Sequence, residues 1–366
     1  MPEARTDIHV LLITPDVKER GGREQLSRLL LENLRGVTGD RIEIFRLPRP
    51  QFKTSFLERL SGRIDGITGP SEAELLKRLS QISPACIFID GSNLGRLARF
   101  LRKAGVTLPI VTFYHNVEAR FFFDALRAAP SVHALGVLIA NTIAERWAAI
   151  YSKRRVLLNE RDARLHARLY RHTGTDVLPM ALRDQYDPAA AEAARPWDKP
   201  YALFVGGGFY ANVEGMAWYA REIAPNAPLT TVVVGRGMEE HRERLEQYGG
   251  VKVVGPADDL GPWYAHAHVV VAPILSGSGM KTKTAEALMH GKPIIGTPEA
   301  FTGYEIGWTD RLVECETGSD FLDALRIANG REPGFDPELR AHYDRFHSPA
   351  AMRDRLGRIV DQACVL

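Results

Sequence analysis

Residues 268–305 constrain this chain more than any other stretch. They read HVVVAPILSGSGMKTKTAEALMHGKPIIGTPEAFTGYE. The apolar run His268–Ala272 has the length and composition of a strand buried on both faces of a parallel sheet. Gly277, Ser278 and Gly279 then form a loop whose backbone can approach a ligand closely. A helix is expected from Met280 to about His290, stopped by Gly291, and Lys292-Pro293 opens the next strand, Ile294–Thr297. Strand, glycine loop and helix N-terminus together make an anion site, because free N–H groups and the positive end of the helix dipole converge on one point. Lys281 and Lys283 fall where that dipole disfavours cations, which points to an anionic ligand. Glu286 lies three residues after Lys283. It either pairs with that lysine or accepts from two neighbouring hydroxyls, as a ribose offers.

The chain has 366 residues, enough for two domains with separate cores. Cys86, Cys315 and Cys364 are sparse and far apart, as in a reducing cytoplasm, and no metal-ligand spacing joins them. No run reaches the 18–20 apolar residues or so of a membrane span, and the first apolar run is too short for a signal peptide. Charge is uneven. Residues 1–180 carry 28 Lys+Arg against 19 Asp+Glu, whereas residues 181–366 carry 19 against 26. The basic half suits a polyanionic partner or the anionic inner face of a membrane, or is simply a solvated surface.

Strands and helices alternate throughout. Ile8–Thr14 is an expected strand, Gly21-Gly22 a turn, and Arg23–Leu34 a helix; a glycine pair between first strand and first helix is where open α/β sheets hold ligands. Pro48–Gly69 is irregular and basic with interleaved Phe52, Phe56 and Leu57, a pattern that fits lipid contact or packing on its own domain. Ser71 reads as an N-cap, and Pro109–Phe113 as a strand ending in Tyr114-His115-Asn116-Val117-Glu118. Asn116 is a candidate N-cap for the helix that follows. Ala134–Ala140 continues the alternation as a strand before a basic helix around Trp147. Asn159–Asp162 starts a helix of structural role.

Residues 181–200, rich in proline and alanine, read as a linker between domains at 1–180 and 201–340, with a tail at 341–366. Tyr201–Val205 leads into Gly206, Gly207, Gly208 and a helix, formally a dinucleotide fingerprint. The next strand, however, ends in Gly235-Arg236-Gly237 and not in the acidic residue that grips an NAD ribose; Arg236 would suit a 2′-phosphate. His266 and His268 lie close together, but no carboxylate or cysteine joins them as a metal set.

Gly277, Gly279, Lys281, Lys283, Glu286, Ala287, Leu288, Gly291, Pro293 and Thr297 match a signature of nucleotide-sugar glycosyltransferases with two facing Rossmann-like domains. This is the GT-B architecture of family 4 type, and the chain resembles that family. Gly21, Gly22 and Glu24 resemble its GG-x-E opening, and His115, Asn116 and Glu118 its HN-x-E segment. Gly206, Asn212, Trp218 and Tyr219 resemble its strand-Gly-Asn entry to the second domain. The resemblance implies an α/β fold of two such domains across a cleft, with the C-terminal helix returning to the first. It implies a nucleoside diphosphate sugar as co-substrate without a metal, and a glycan or glycolipid acceptor in bacterial surface polysaccharide synthesis, with no nucleic acid partner. Glu286 would hold the donor ribose, and Ser278, Gly279, Met280 and Lys281 its diphosphate. Gly207 and Gly208 would face the donor, His115 would touch the donor sugar, and Glu118 or Asp16 would meet the acceptor, or act as base if the enzyme inverts. Retention is the expected outcome. Two departures stand out. The first of two family glutamates eight positions apart is Ser278 here. The Arg and Lys expected after Val205 are missing, so Lys281, Lys283 and Arg236 would replace them. The competing readings are a nucleotide-sugar 2-epimerase of the same fold, an NADP-dependent oxidoreductase, and a non-catalytic binding protein.

Overall fold

The computed structural model describes residues 8–16, 22–48, 58, 61–277, 279–304 and 310–364. The chain divides into two compact units, residues 1–181 with 349–366, and residues 182–348. Gly21, Ser278 and most of the basic segment 49–60 lie outside the described residues.

The first unit alternates β1 (Val10–Pro15), α1 (Gly22–Thr38), β2 (Ile42–Leu47), α2 (Gly69–Ile82), β3 (Cys86–Asp90), α3 (Gly95–Lys103), β4 (Ile110–Phe113), α4 (Glu118–Ala128), α5 (Val132–Tyr151), β5 (Arg154–Leu157), α6 (Glu160–Tyr170) and β6 (Asp176–Val177). Its strands pair in parallel in the order β2-β1-β3-β4-β5-β6. Helices on both faces leave β1 and β3 buried along their whole length, which is why both are continuous apolar runs. The chain moves outward from β1 to β2 and then crosses to the other side of β1 to lay down β3. The C-terminal ends of β1 and β3 therefore flank a topological switch point, the place where open α/β sheets bind ligands.

The second unit repeats the plan with β7 (Tyr201–Val205), α7 (Tyr210–Glu222), β8 (Thr230–Val234), α8 (Arg242–Glu246), β9 (Val251–Gly255), α9 (Gly261–His266), β10 (Val269–Ala272), α10 (Thr282–Met289), β11 (Ile294–Gly296), β12 (Leu312–Glu314), α11 (Gly318–Asn329) and α12 (Pro337–Phe346). Its order, β12-β11-β10-β7-β8-β9, puts the switch point between β7 and β10. A last helix, α13 (Pro349–Cys364), belongs to the first unit. There the Asn33 amide of α1 meets the Met352 sulfur at 3.6 Å, and Lys153 donates to the Ala363 carbonyl at 3.4 Å.

The structure departs from the sequence expectations in several places. Residues 134–140 are not a strand but part of the twenty-residue helix α5, capped by Ser131, whose hydroxyl accepts from the Ala134 N–H. Small residues let α3 press on this helix: a Cβ on Gly95 would stand 2.0 Å from the Ala144 carbonyl. A short apolar run looks alike in both periodicities, and here close helix packing decides. Thr68, not Ser71, caps α2, with Ser71 completing the capping box. The expected linker packs on the second unit. Arg340 grips the Asp184 carboxylate at 2.5 and 3.0 Å, and Tyr186 stacks on Phe335 at 4.9 Å. Part of the first unit's basic charge is engaged internally: Arg102 donates to the carbonyls of Val106 and Leu108, Arg155 to those of Ser152 and Thr173, and Arg154 pairs with Asp176.

Candidate functional site

The loop from β10 to α10 turns at Gly277 (φ 147°) and Gly279 (φ 66°), conformations that favour glycine. Met280 tucks inward, and Lys281 is the N-cap of α10, which starts two residues later than expected. No side chain caps this helix end. The Thr284 N–H returns to the Lys281 carbonyl, and the Ala285 N–H goes to the Tyr304 hydroxyl, which itself donates to the Lys281 carbonyl. Among the described residues the amides of Thr282 and Lys283 make no hydrogen bond. They are the donors a bound anion would use.

Two lysines flank this point and differ in state. Lys281 pairs with Glu299 at 2.7 Å and donates to the Gly279 carbonyl at 3.1 Å, so it shapes the loop as it stands. Lys283 is buried, donates to the Asn212 amide oxygen at 2.9 Å and lies 5.2 Å from the Phe204 ring centroid. Burial, reinforced by Lys281 and opposed by Glu286, pulls its ammonium down to about 8. Among the described residues its one hydrogen-bond partner is a neutral amide, and Glu286, one turn on, is the counter-charge it feels.

One turn on, the half-buried Glu286 accepts from the Tyr264 hydroxyl at 3.2 Å. Burial raises its carboxyl above the usual range, against the pull of Lys283 and of that hydrogen bond. The Tyr264 ring in turn lies flat on His290 (4.2 Å, 5°), whose imidazole burial pushes down to about 4, so a neutral ring backs the tyrosine.

Across the switch point, Asn212 joins the two loops: its amide donates to the Gly207 carbonyl while its oxygen receives Lys283. The glycines here serve loop-on-loop packing. A Cβ on Gly235 would stand 2.0 Å from the Gly206 carbonyl, and the Gly208 N–H is taken by the Arg236 carbonyl at 2.9 Å. The Arg236 side chain is exposed. The structure thus gathers Lys281, Lys283, Glu286, Gly277, Gly279 and Gly207 around one loop pair. It adds Asn212, Tyr264, Tyr304 and Glu299, which sequence spacing had not assigned to the site.

In the first unit, His115 follows β4 and donates or accepts at Nε2 to Asp90, 2.7 Å away, the last residue of β3. Thr14, near the end of β1, donates to the other carboxylate oxygen at 2.7 Å. Asp90 has no candidate role from the sequence; its signal was an acid closing an apolar strand just before a glycine. Asp16 is exposed one residue past β1, and Gly22 opens α1. Glu118 is the buried first residue of α4. Asn116 is not its N-cap: Val117 takes that position, and the Glu145 carboxylate receives the N–H groups of Glu118 and Ala119 at 2.9 and 3.0 Å. That helix end is filled from within.

Residues 199–327 match the family model described as "Glycosyl transferases group 1". No curated sequence is similar enough to count as a relative. Among solved structures, the chain superimposes on sucrose-phosphate synthase from Thermosynechococcus elongatus with a TM-score of 0.70 at 16% identity, over 97% of this chain and 98% of that one. The Anabaena protein HepE, solved with UDP, gives 0.67 at 12% identity over 97% and 100%. The lipopolysaccharide outer core galactosyltransferase WaaB gives 0.63 at 15% over 97% and 99%. The second unit thus carries the signature of the group 1 glycosyl transferases, and the chain as a whole has the GT-B fold.

Proposed function

We propose that this protein is a glycosyltransferase that moves a sugar from a nucleoside diphosphate donor to a hydroxyl of a glycan or glycolipid. The observation that carries this reading is the start of α10, where two unbonded helix amides and the buried Lys283 fall within the segment that matches the group 1 model. Negative charge develops on the diphosphate as the glycosidic bond breaks. A preorganised ammonium and backbone N–H groups stabilise that charge most in the transition state. Glu286 receives the ribose hydroxyls. In the finer reading the reaction needs no metal, because Lys283 and the helix end supply the positive charge. It retains anomeric configuration, and the acceptor is part of a bacterial surface polysaccharide, met at the inner membrane face by the basic first unit. The test is a thermal-shift screen of UDP, GDP, ADP and dTDP, with EDTA and with NADPH as controls. UDP comes first because HepE was solved with it. A rise in Tm with one nucleotide, unchanged by EDTA, is expected; a rise with NADPH alone would replace this reading with an oxidoreductase.

Lys283 sets a pH dependence whose sign follows from its burial. Free, its ammonium titrates at about 8 and the unfolded chain's near 10.5. In that window the unfolded state binds more protons, so this group's share of stability rises with pH. A bound diphosphate favours the charged form and lifts the pKa. Nucleotide binding therefore takes up a proton above pH 8, and affinity falls by up to tenfold per pH unit there, while Lys283 causes no change below about 7. Calorimetry in buffers of different ionisation enthalpy measures the uptake, and Lys283→Met removes it.

A further inference from the structure

Two of the three cysteines meet inside the first unit, although Cys86 and Cys364 stand 278 positions apart in the sequence. Cys86 is the first residue of β3, at the opposite end of the strand from Asp90, and is fully buried. Cys364 is the last residue of α13 and is partly exposed. This helix lies against β3, and two polar contacts hold its end in place. Arg154 donates to the Gln362 side-chain oxygen at 2.7 Å, and Lys153 to the Ala363 carbonyl at 3.4 Å. At that point a hydrogen bond joins the Cys86 and Cys364 side chains, both of them free thiols. That bond first, and burial second, hold the Cys86 thiol well above its ordinary value, so it keeps its proton at neutral pH. A single buried cysteine packs as a small hydrophobe. Two in contact, on elements from opposite ends of the chain, have a second chemistry open to them.

We propose that Cys86 and Cys364 form a reversible disulfide under a low-molecular-weight disulfide oxidant, and that this bond fastens α13 to the sheet it covers. Exposure sets the order of events. Cys86 has no surface for an oxidant to reach, so Cys364 reacts first. Its thiolate attacks one sulfur of the oxidant RSSR, forms Cys364–S–S–R and releases RS⁻, which takes up a proton. That step also removes the thiol contact that held the Cys86 proton most strongly. The Cys86 thiolate then attacks the Cys364 sulfur and displaces the second RS⁻. The two cysteines lose two electrons and two protons, and RSSR leaves as two RSH. The new bond closes a loop that contains the entire second unit. In the chain-entropy account, a cross-link between residues so distant restricts the unfolded chain strongly. A reducing compartment keeps the pair as thiols, so the cross-link follows oxidation and reverses with it.

The test uses the wild-type protein, incubated with glutathione disulfide, blocked with iodoacetamide in urea and cut by trypsin without reductant. The peptide 79–96 is expected linked to the peptide 359–366, two hydrogens lighter than their sum, with Cys315 recovered as an alkylated thiol. In Cys86→Ala the same treatment should trap glutathione on Cys364, whereas in Cys364→Ser the Cys86 thiol should stay unmodified until urea exposes it. Hydrogen exchange along α13 should slow at least about tenfold in the oxidised protein and recover with dithiothreitol, and Cys364→Ser should respond to neither. A wild type that keeps glutathione on Cys364, a Cys364–Cys364 dimer, or alkylation at both positions overturns the proposal. So does an internal disulfide that leaves exchange along α13 unchanged, because the bond would then fasten nothing. None of these readouts involves a nucleotide, and they stand whether or not the donor reading holds.

Discussion

Replacing Lys292 by methionine should destabilise the second unit by about 3 kcal/mol and lower its Tm by roughly 10 °C. Lys292 opens the turn before β11, is 1% exposed, and places its ammonium on three backbone carbonyls: Ala265 at 2.7 Å, Gly334 at 3.0 Å and Ala267 at 3.1 Å. Those carbonyls come from the end of α9 and from the stretch before α12, so one side chain ties segments far apart in sequence. Methionine fills a similar volume but offers no donor. Each abandoned carbonyl costs about 1–3 kcal/mol, offset in part because an ammonium that burial pulls down to about 8 no longer has to be desolvated. The loss should appear in hydrogen exchange of the second unit and leave the first unit's sheet protected. Unchanged stability would mean that the three carbonyls find other donors.

Glu286→Ala is the second large effect, and it separates binding from folding. Two hydrogen bonds from ribose hydroxyls to a carboxylate contribute about 1.5–3 kcal/mol each, so nucleotide affinity should fall by at least about 100-fold. The ligand-free protein should lose nothing, because the carboxyl is already unfavourably buried and its main partner, Tyr264, keeps its stack on His290. A 2′,3′-dideoxy nucleotide completes the cycle: it should bind the wild type as weakly as the natural nucleotide binds the variant, and the variant should not distinguish the two. Additive losses would place the ribose elsewhere.

The two-sheet plan was legible because buried parallel strands announce themselves as short apolar runs between helices. The β10–α10 loop was legible because glycines and lysines at fixed spacing have few other uses. Side-chain partnerships were not. Lys281 and Lys283 look equivalent in sequence, yet Glu299, eighteen residues away from Lys281, binds one of them and leaves the other beside Asn212. Lys292 read as the start of a strand, and nothing local reveals that three distant carbonyls surround it. Asp90 ends β3 and His115 lies just past the end of β4, and only the crossover that places β3 beside β1 and β4 brings them together. The α5 error is of another kind: residues 134–140 satisfy a strand pattern, and the packing of Gly95 against Ala144 overrides it.

The first unit is made of two pieces of chain, and the second is an insertion between them. Residues 182–348 form one continuous segment, free to complete their fold as they leave the ribosome. The sheet of the first unit must wait, because Met352, Leu356, Ile359 and Val360 of α13 supply part of its buried surface and are synthesised later. Order of synthesis and order of completion are thus reversed for the two units. A released chain ending at Ser348 holds every residue of the second unit, whereas its first unit lacks α13 and keeps an apolar surface open to solvent.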